Sequence, residues 1–215
     1  PVSVMDCTWV TAVRTGAASA VAAKYLAKKD SAQIAILGCG VQGRSNLEAM
    51  KVVFPGLERV KAYDIRRESA ERFAQDMAKQ LKMQIDVVED SKAAVNDADI
   101  VVTCGPIMHQ PTPVIELAWL KKGVFLSAVD LDSYVQPDVF NAAKLYTDDV
   151  DQFMGYSRLG SFVGIHEPIG DLGELVVGKK PARETADEIT MTANLGLAVE
   201  DLAVGVRIYR AAKER

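Results

Sequence analysis

The stretch from Gln33 to Gly43, Gln-Ile-Ala-Ile-Leu-Gly-Cys-Gly-Val-Gln-Gly, constrains the fold of this chain more than any other. Ile34 to Leu37 form an apolar run of the kind a buried parallel strand requires. Gly38, Gly40 and Gly43 follow in the spacing G-x-G-x-x-G. Each glycine has its own physical role. Gly38 permits a tight turn off the strand, Gly40 lets the backbone approach a pyrophosphate, and Gly43 lets the next helix pack close to the sheet. The helix that follows turns its free N–H groups and its positive dipole end towards the phosphates. A second strand, Arg59 to Tyr63, runs into Asp64, about 20 residues past the third glycine, where a carboxylate accepts adenosine ribose hydroxyls. The reading is a dinucleotide site, set against a glycine-rich turn with no ligand.

The rest of the chain supports the same architecture. Apolar runs predict strands near 33–37, 58–63, 85–88, 99–103, 124–128 and 144–147, with a late strand at Ile189–Ala193. Helical patterns lie between them near 41–53, 67–81, 91–96, 114–120 and 136–142. Such alternation implies an α/β fold, a doubly wound parallel sheet with helices on both faces. Ligands of such sheets bind at the carboxyl ends of the strands. An alanine-rich helix is expected over 9–29, capped by Asp6 or Thr8, and a last helix after Asn194-Leu195-Gly196, which Asn194 can cap. Residues 148–183 are less regular, apart from a short helix after Asp171 stopped by Gly178.

The bulk numbers narrow the function classes. The 215 residues carry 25 Lys and Arg against 29 Asp and Glu, a net charge of −4, with the basic residues dispersed. Nothing in this pattern points to nucleic acid. No apolar run reaches the roughly 20 residues of a membrane span. Cys7, Cys39 and Cys104 are odd in number and widely spaced, so neither metal nor disulfide is expected, and a reducing cytoplasm is.

Candidate site residues gather in the loops after the strands. Asp64 repels a 2′-phosphate, which favours NAD over NADP. Arg66 or Arg67 is a candidate to stack on the adenine, or else an exposed charge opening a helix. Thr103 is placed to touch the cofactor. Cys104 is read as a buried structural cysteine, and His109 as a surface residue. Asp130 and Asp132, two apart in an extended segment, share one face and form a general acid/base candidate. His166 is a further candidate for the cleft. Arg14 sits among small residues, Thr15, Gly16 and Ser19, that let a chain segment or ligand come close; on composition alone it reads as a solvated charge. Asn194 offers an amide to a carboxamide ligand.

Four blocks of the chain resemble the ornithine cyclodeaminase/mu-crystallin family. They are Val4-Met-Asp-Cys-Thr-Trp-Val-Thr-Ala-Val-Arg14-Thr-Gly-Ala-Ala-Ser19, Gly38-Cys-Gly-Val-Gln-Gly43, Ser127-Ala-Val-Asp-Leu-Asp132 and Asn194-Leu-Gly-Leu-Ala-Val-Glu-Asp201. The resemblance implies a two-domain NAD(P)-dependent enzyme acting on small amino acids or cyclic imines. In the cyclodeaminase, ornithine is oxidised at Cα, its side-chain amine attacks the imine, ammonia leaves, and the hydride returns to give proline. Dehydrogenases and ketimine reductases of the family are the alternative, and a cofactor-dependent small-molecule binder like mu-crystallin is the alternative of another class. Carried over by position, Arg14 is the substrate-carboxylate ligand and also borders the cofactor, Asp132 is the catalytic aspartate, and Leu195 touches substrate through its backbone. Gly38, Gly40, Val41, Gln42, Gly43, Asp64, Thr103, Val129 and Asn194 are the cofactor contacts. Two positions depart from the family pattern: Asp130-Leu131 stand where glycine is common, and Gln136 where a lysine is.

The resemblance also divides the chain. Residues 1–30 are expected to be the end of a substrate and dimerisation domain with its connecting helix, residues 31–193 the dinucleotide domain, and residues 194–215 a helix packing back. Family members have roughly 100 residues ahead of this point, which supply a second carboxylate-binding arginine and a lysine. Residues 1–8 look like the last strand of that domain, so the chain reads as a fragment, inactive alone, of an enzyme expected to be a homodimer.

Overall fold

The apolar runs of the sequence become the strands of one parallel sheet. The computed structural model describes residues 2–214. Its strands are β1 (Gln33–Leu37), β2 (Arg59–Tyr63), β3 (Gln84–Val87), β4 (Ile100–Thr103), β5 (Phe125–Ala128), β6 (Lys144–Tyr146) and β7 (Thr190–Thr192). They lie in the order β3-β2-β1-β4-β5-β7-β6, every neighbouring pair parallel. Every residue of β4, β5 and β7 is buried, which is why these strands read as unbroken apolar or small-residue runs rather than alternating ones. The order reverses between β1 and β4, the switch point at which ligands of such sheets bind.

Two apolar layers cover the sheet. Side chains alternate along a strand, so Ile34, Ile36, Ile100, Val102 and Phe125 fall in one buried cluster. Ala35, Leu37, Val101, Leu126 and Ala128 fall in the other. The first layer is closed by α1 (Cys7–Leu26), α2 (Val41–Val53) and α3 (Arg67–Leu81). α1 is rich in alanine because it must lie close: a Cβ on Gly16 would come within 2.6 Å of the Ser45 carbonyl oxygen on α2. α3 buries Ala70, Phe73 and Met77, one stripe at helical spacing. The second layer is closed by α4 (Ser91–Val95), α5 (Pro137–Ala142) and α6 (Val150–Arg158). There Phe153 stacks on Phe162 with ring centroids 4.1 Å apart. α7 (Leu172–Val176) and α8 (Ala198–Lys213) complete the chain.

The structure corrects several expectations. α1 begins at Cys7, where Asp6 caps it by accepting the Thr8 N–H at 2.8 Å, and it ends at Leu26 rather than 29. Residues 2–6 have no strand partner among the described residues, and Pro1 lies outside them. The helix expected over 114–120 is a single 3-10 turn, Leu117–Trp119. Its first part is held extended instead: the Val114 and Ile115 N–H groups both donate to the Tyr134 carbonyl, and Ile115 bridges to Val135. The irregular stretch after 148 contains α6, capped by Asp149 through the Gln152 N–H. Its sequence hides it because Gly155 is a weak helix former and Phe153 alone is buried on it.

Candidate functional site

A cavity of ≈ 490 Å³ opens at the carboxyl ends of β1, β2 and β4. Gly38, Gly40, Tyr63, Asp64, Ile65 and Arg66 form one side, and Cys104, Gly105, Pro106, Val114 and Tyr134 form the other. Gly38 has φ +96°, and a Cβ there would meet the Cys104 carbonyl at 2.5 Å. A Cβ on Gly43 would meet the Gly38 carbonyl oxygen. Gly40 differs. Its φ of −80° suits any residue, and a Cβ there would meet nothing within 4 Å. The first and third glycines are thus required by the chain itself, while the second faces open space where the α2 N–H groups begin. That is the cradle a pyrophosphate needs.

Asp64 sits at the lip of this cavity. Its Oδ2 accepts the Cys39 N–H and its Oδ1 the Arg66 N–H, both at 2.9 Å. These bonds orient the carboxylate and leave lone pairs free for further donors. Arg66 lines the cavity, whereas Arg67 turns away to pair with Glu71 at 2.9 Å and Glu89 at 2.6 Å. Of the two candidate arginines, only Arg66 faces the pocket. Two of the cysteines are disfavoured as nucleophiles: burial, then Asp64, pushes the Cys39 thiol up to about 12, and burial, then Asp130, pushes Cys104 well above its ordinary value.

A second, narrow cavity lies behind β5, lined by Arg14, Thr15, Ala18, Ser19, Ser127, Val129 and Asn194. Arg14 is not a solvated charge. Its side chain is 17% exposed, with Nη1 3.4 Å from Glu200 Oε2 and Nε 3.3 Å from Asp201 Oδ1. The second pair is misaligned for a hydrogen bond, so the Nε–H is buried without an acceptor. Gly196, at φ +93°, passes over the guanidinium, and a Cβ there would strike Arg14 Nη1 at 2.6 Å. Asn194 does not cap α8, whose first turn begins after Leu197 with no side-chain cap. Its Oδ1 accepts the Thr192 hydroxyl at 2.6 Å, and its Nδ2 is buried without a partner. Buried donors without acceptors are rare in folded chains. Both residues line this cavity, which at ≈ 10 Å³ has room for about one water molecule as it stands.

The paired aspartates part company. Leu131 between them takes φ +61°, so the segment is a tight turn and its residues do not share a face. Asp130 is buried and accepts the Thr103 hydroxyl at 2.7 Å and the Gly105 N–H at 2.8 Å. Asp132 turns the other way and accepts the Phe162 N–H; it lines neither cavity. Thr103, expected at the cofactor, is buried with its hydroxyl committed to Asp130. Val41 is exposed at the start of α2, beside the half-buried Gln42. His109 is exposed, as expected, and so is His166, which lines neither cavity and whose backbone N–H donates to Asn141. Sequence reasoning missed Tyr134, the Glu200–Asp201 pair as partners of Arg14, and Asp148, which accepts the Leu195 N–H. Acidic residues in the first turn of a helix were a visible signal for the pair; Tyr134 and Asp148 had none.

Strand order, glycine turn and the cavity at the switch point place the chain in the Rossmann-type class of doubly wound α/β proteins. More particularly, it belongs to the ornithine cyclodeaminase/mu-crystallin family, whose model matches residues 1–215. It is 32% identical to the alanine dehydrogenase of Archaeoglobus fulgidus, over 99% of this chain and 66% of that one. It is 34% identical to the N-((2S)-2-amino-2-carboxyethyl)-L-glutamate dehydrogenase of Staphylococcus aureus, over 100% of this chain and 65% of that one. The Δ1-pyrroline-2-carboxylate reductase of Thermococcus litoralis, solved with NADH and L-proline, superposes with a TM-score of 0.86 at 33% identity, covering 98% of this chain and 67% of that one. The chain thus spans about two thirds of the length of these relatives. No helix of the described residues is long and apolar enough to cross a membrane.

Proposed function

We propose that this chain is the cofactor-binding part, with a share of the substrate site, of an NAD-dependent enzyme that transforms a small amino acid or its cyclic imine at Cα. The observation that carries this reading is the open cavity with the glycine cradle and Asp64; Arg14 and Asn194, each with a buried donor that lacks a hydrogen-bond acceptor, line a second, much smaller space. Gly38, Gly40, Val41, Gln42 and Gly43 would hold the pyrophosphate, Asp64 the adenosine ribose, and Arg66 the adenine face. The Asp64 carboxylate favours NAD over NADP. Val129 and Asn194 would border the nicotinamide end, with the buried Thr103 supporting the wall from behind through its bond to Asp130. A nicotinamide held there would supply hydride exchange at the substrate Cα. Arg14 presents a planar fork suited to a carboxylate, the Leu195 backbone borders the substrate, and Asp132, which accepts the Phe162 N–H outside both cavities, would have to swing towards the reacting amine to move its proton.

Ornithine cyclodeaminase chemistry and dehydrogenase or imine reductase chemistry both use these parts. The second is favoured by the relatives, which include the alanine dehydrogenase at 32% and reductases near 30%, beside an Agrobacterium fabrum ornithine cyclodeaminase at 29%. The division at residues 30/31 and 193/194, the homodimer and the cytoplasmic setting belong to the same proposal; an archaeal alanine dehydrogenase that superposes at a TM-score of 0.84 is described as a dimer with bound NAD.

The test is to give the full-length protein NAD and L-ornithine, L-lysine or L-alanine, and in the reverse direction NADH and Δ1-pyrroline-2-carboxylate, following ammonia and NADH together. Ammonia without NADH means cyclodeamination, ammonia with NADH means a dehydrogenase, and NADH loss with the imine means a reductase. NAD binding without turnover means a binding protein, and no NAD binding overturns the proposal.

A further inference from the structure

The turn after β5 is stitched to the loop after β4, and the stitch passes behind the wall of the large cavity. Asp130 is 1% exposed and lies outside that cavity. Its Oδ1 accepts the Thr103 hydroxyl and its Oδ2 the Gly105 N–H. Three residues on, the Ser133 hydroxyl oxygen accepts the Met108 N–H at 3.0 Å. The Tyr134 ring then closes over Gly105, where a Cβ would lie 2.3 Å from a ring carbon. Cys104, Gly105 and Pro106 are the wall these contacts hold. We propose that Asp130 is a positioning residue for dinucleotide binding, fixing the 103–106 wall through Thr103 and Gly105. The proposal rests on the reading that this cavity takes a dinucleotide.

Asp130 is also an acid whose neighbours offer no cation. The groups that face it are Asp132 on its own turn, Cys104 on the β4 loop and Tyr134, with Asp64 beyond the tyrosine. All are acids. Burial, against the opposing hydrogen bonds from Thr103 and Gly105 and with a smaller push from Asp132, raises the Asp130 carboxyl to about 7. Its charge therefore changes in the neutral range. Ionised, it accepts from both donors but places negative charge behind a wall that must face an anionic ligand. Protonated, it donates to the Thr103 hydroxyl oxygen, which rotates to accept, and still accepts from Gly105. The clasp survives and the repulsion is gone. Dinucleotide affinity thus rises as pH falls through neutrality.

Asn is the neutral mimic: its amide donates to Thr103 and its carbonyl accepts from Gly105. The experiment titrates NADH fluorescence with full-length wild-type protein, Asp130→Asn and Asp130→Ala between about pH 6 and about pH 8.5, with circular dichroism to check folding. Wild type is expected to lose roughly five- to tenfold in affinity across this range. D130N should hold the tighter value throughout, and D130A, which leaves two donors unpaired, should bind more weakly at both ends. Parallel pH profiles for wild type and D130N, or a folded D130A that binds like wild type, would overturn the proposal alone. Failure of wild type to bind NADH at any pH would overturn the cavity reading and this proposal with it.

Discussion

The Asp148 carboxylate, buried at the end of β6, accepts the Leu195 N–H at 2.9 Å. It takes the Gly196 and Asp149 N–H groups as well. One side chain thus fixes the turn that carries Asn194 and Leu195 over Arg14. Removing it orphans several N–H groups, at about 1–3 kcal/mol each where they stay dry. Asp148→Ala should therefore lower unfolding free energy by about 2–3 kcal/mol in urea titrations and weaken any ligand that needs Asn194. An unchanged denaturation midpoint would show that the turn does not depend on it.

Much of this fold is legible in the sequence, and the reason is burial. β1, β4 and β5 are covered on both faces, so their residues had to be apolar or small, and the runs stand out. The glycine turn is legible because steric need leaves no other residue at Gly38 and Gly43. The parts that escaped depend on partners distant in sequence. The 114–120 segment looks helical by pattern, but Tyr134 captures its backbone donors. Asp130 and Asp132 look like a pair until Leu131 adopts a left-handed backbone, which nothing in a leucine announces. Arg14 looks solvated because Glu200 and Asp201 lie nearly two hundred residues away in the chain; the family resemblance marked it where composition did not.

The second and third glycines of the turn should separate binding from folding. Gly43→Ala forces a Cβ against the Gly38 carbonyl oxygen, a backbone atom that cannot move alone. It should lower Tm markedly. Gly40→Ala meets no protein atom and adopts an ordinary φ, so Tm should be unchanged within a degree or two. The added methyl instead occupies the phosphate approach, and NADH affinity should fall by at least about tenfold, about 1.4 kcal/mol. A G40A protein that binds NADH normally would remove the cradle from the account.

On the proposed reading, cofactor choice rests on Asp64 and its neighbour Arg66. Asp64→Ser removes the charge that repels a 2′-phosphate and leaves Arg66 at the same wall. The ratio of NADPH to NADH affinity should rise by roughly ten- to a hundredfold, about 1.4–2.7 kcal/mol, mostly through lost NADH binding. Competitive titration of both cofactors measures it. An unchanged ratio would mean that Asp64 serves only to hold the Cys39 and Arg66 backbone.

Arg14 is tied to Glu200, and breaking that tie should be read in two ways. Burial, then Asp148, raises the Glu200 carboxyl, and Arg14 pulls it back down. Arg14→Ala leaves Glu200 facing Asp148 without its cation, at a cost of about 3 kcal/mol. Arg14→Lys keeps the charge but loses the fork. In the full-length enzyme it should leave NADH affinity within about twofold and raise KM for a carboxylate substrate by more than about tenfold. Equal losses in both would place Arg14 in the fold rather than in recognition.

Asp130 should also mark the stability of the chain against pH. Its carboxyl titrates near 7 in the folded protein and near its ordinary 3.8 when unfolded. Below the lower value both states hold the proton, and above the upper value neither does. Between them the folded state keeps a proton that the unfolded state has released. Stability therefore falls as pH rises through this window, by at most roughly 1.4 kcal/mol per pH unit. Other carboxylates titrate over the acid part of the same range, so the informative quantity is the difference between wild type and Asp130→Asn. Urea denaturation at a series of pH values should show D130N gaining on wild type as pH climbs towards 7, then running parallel to it. A constant difference across the window would mean that the buried carboxyl is ionised throughout.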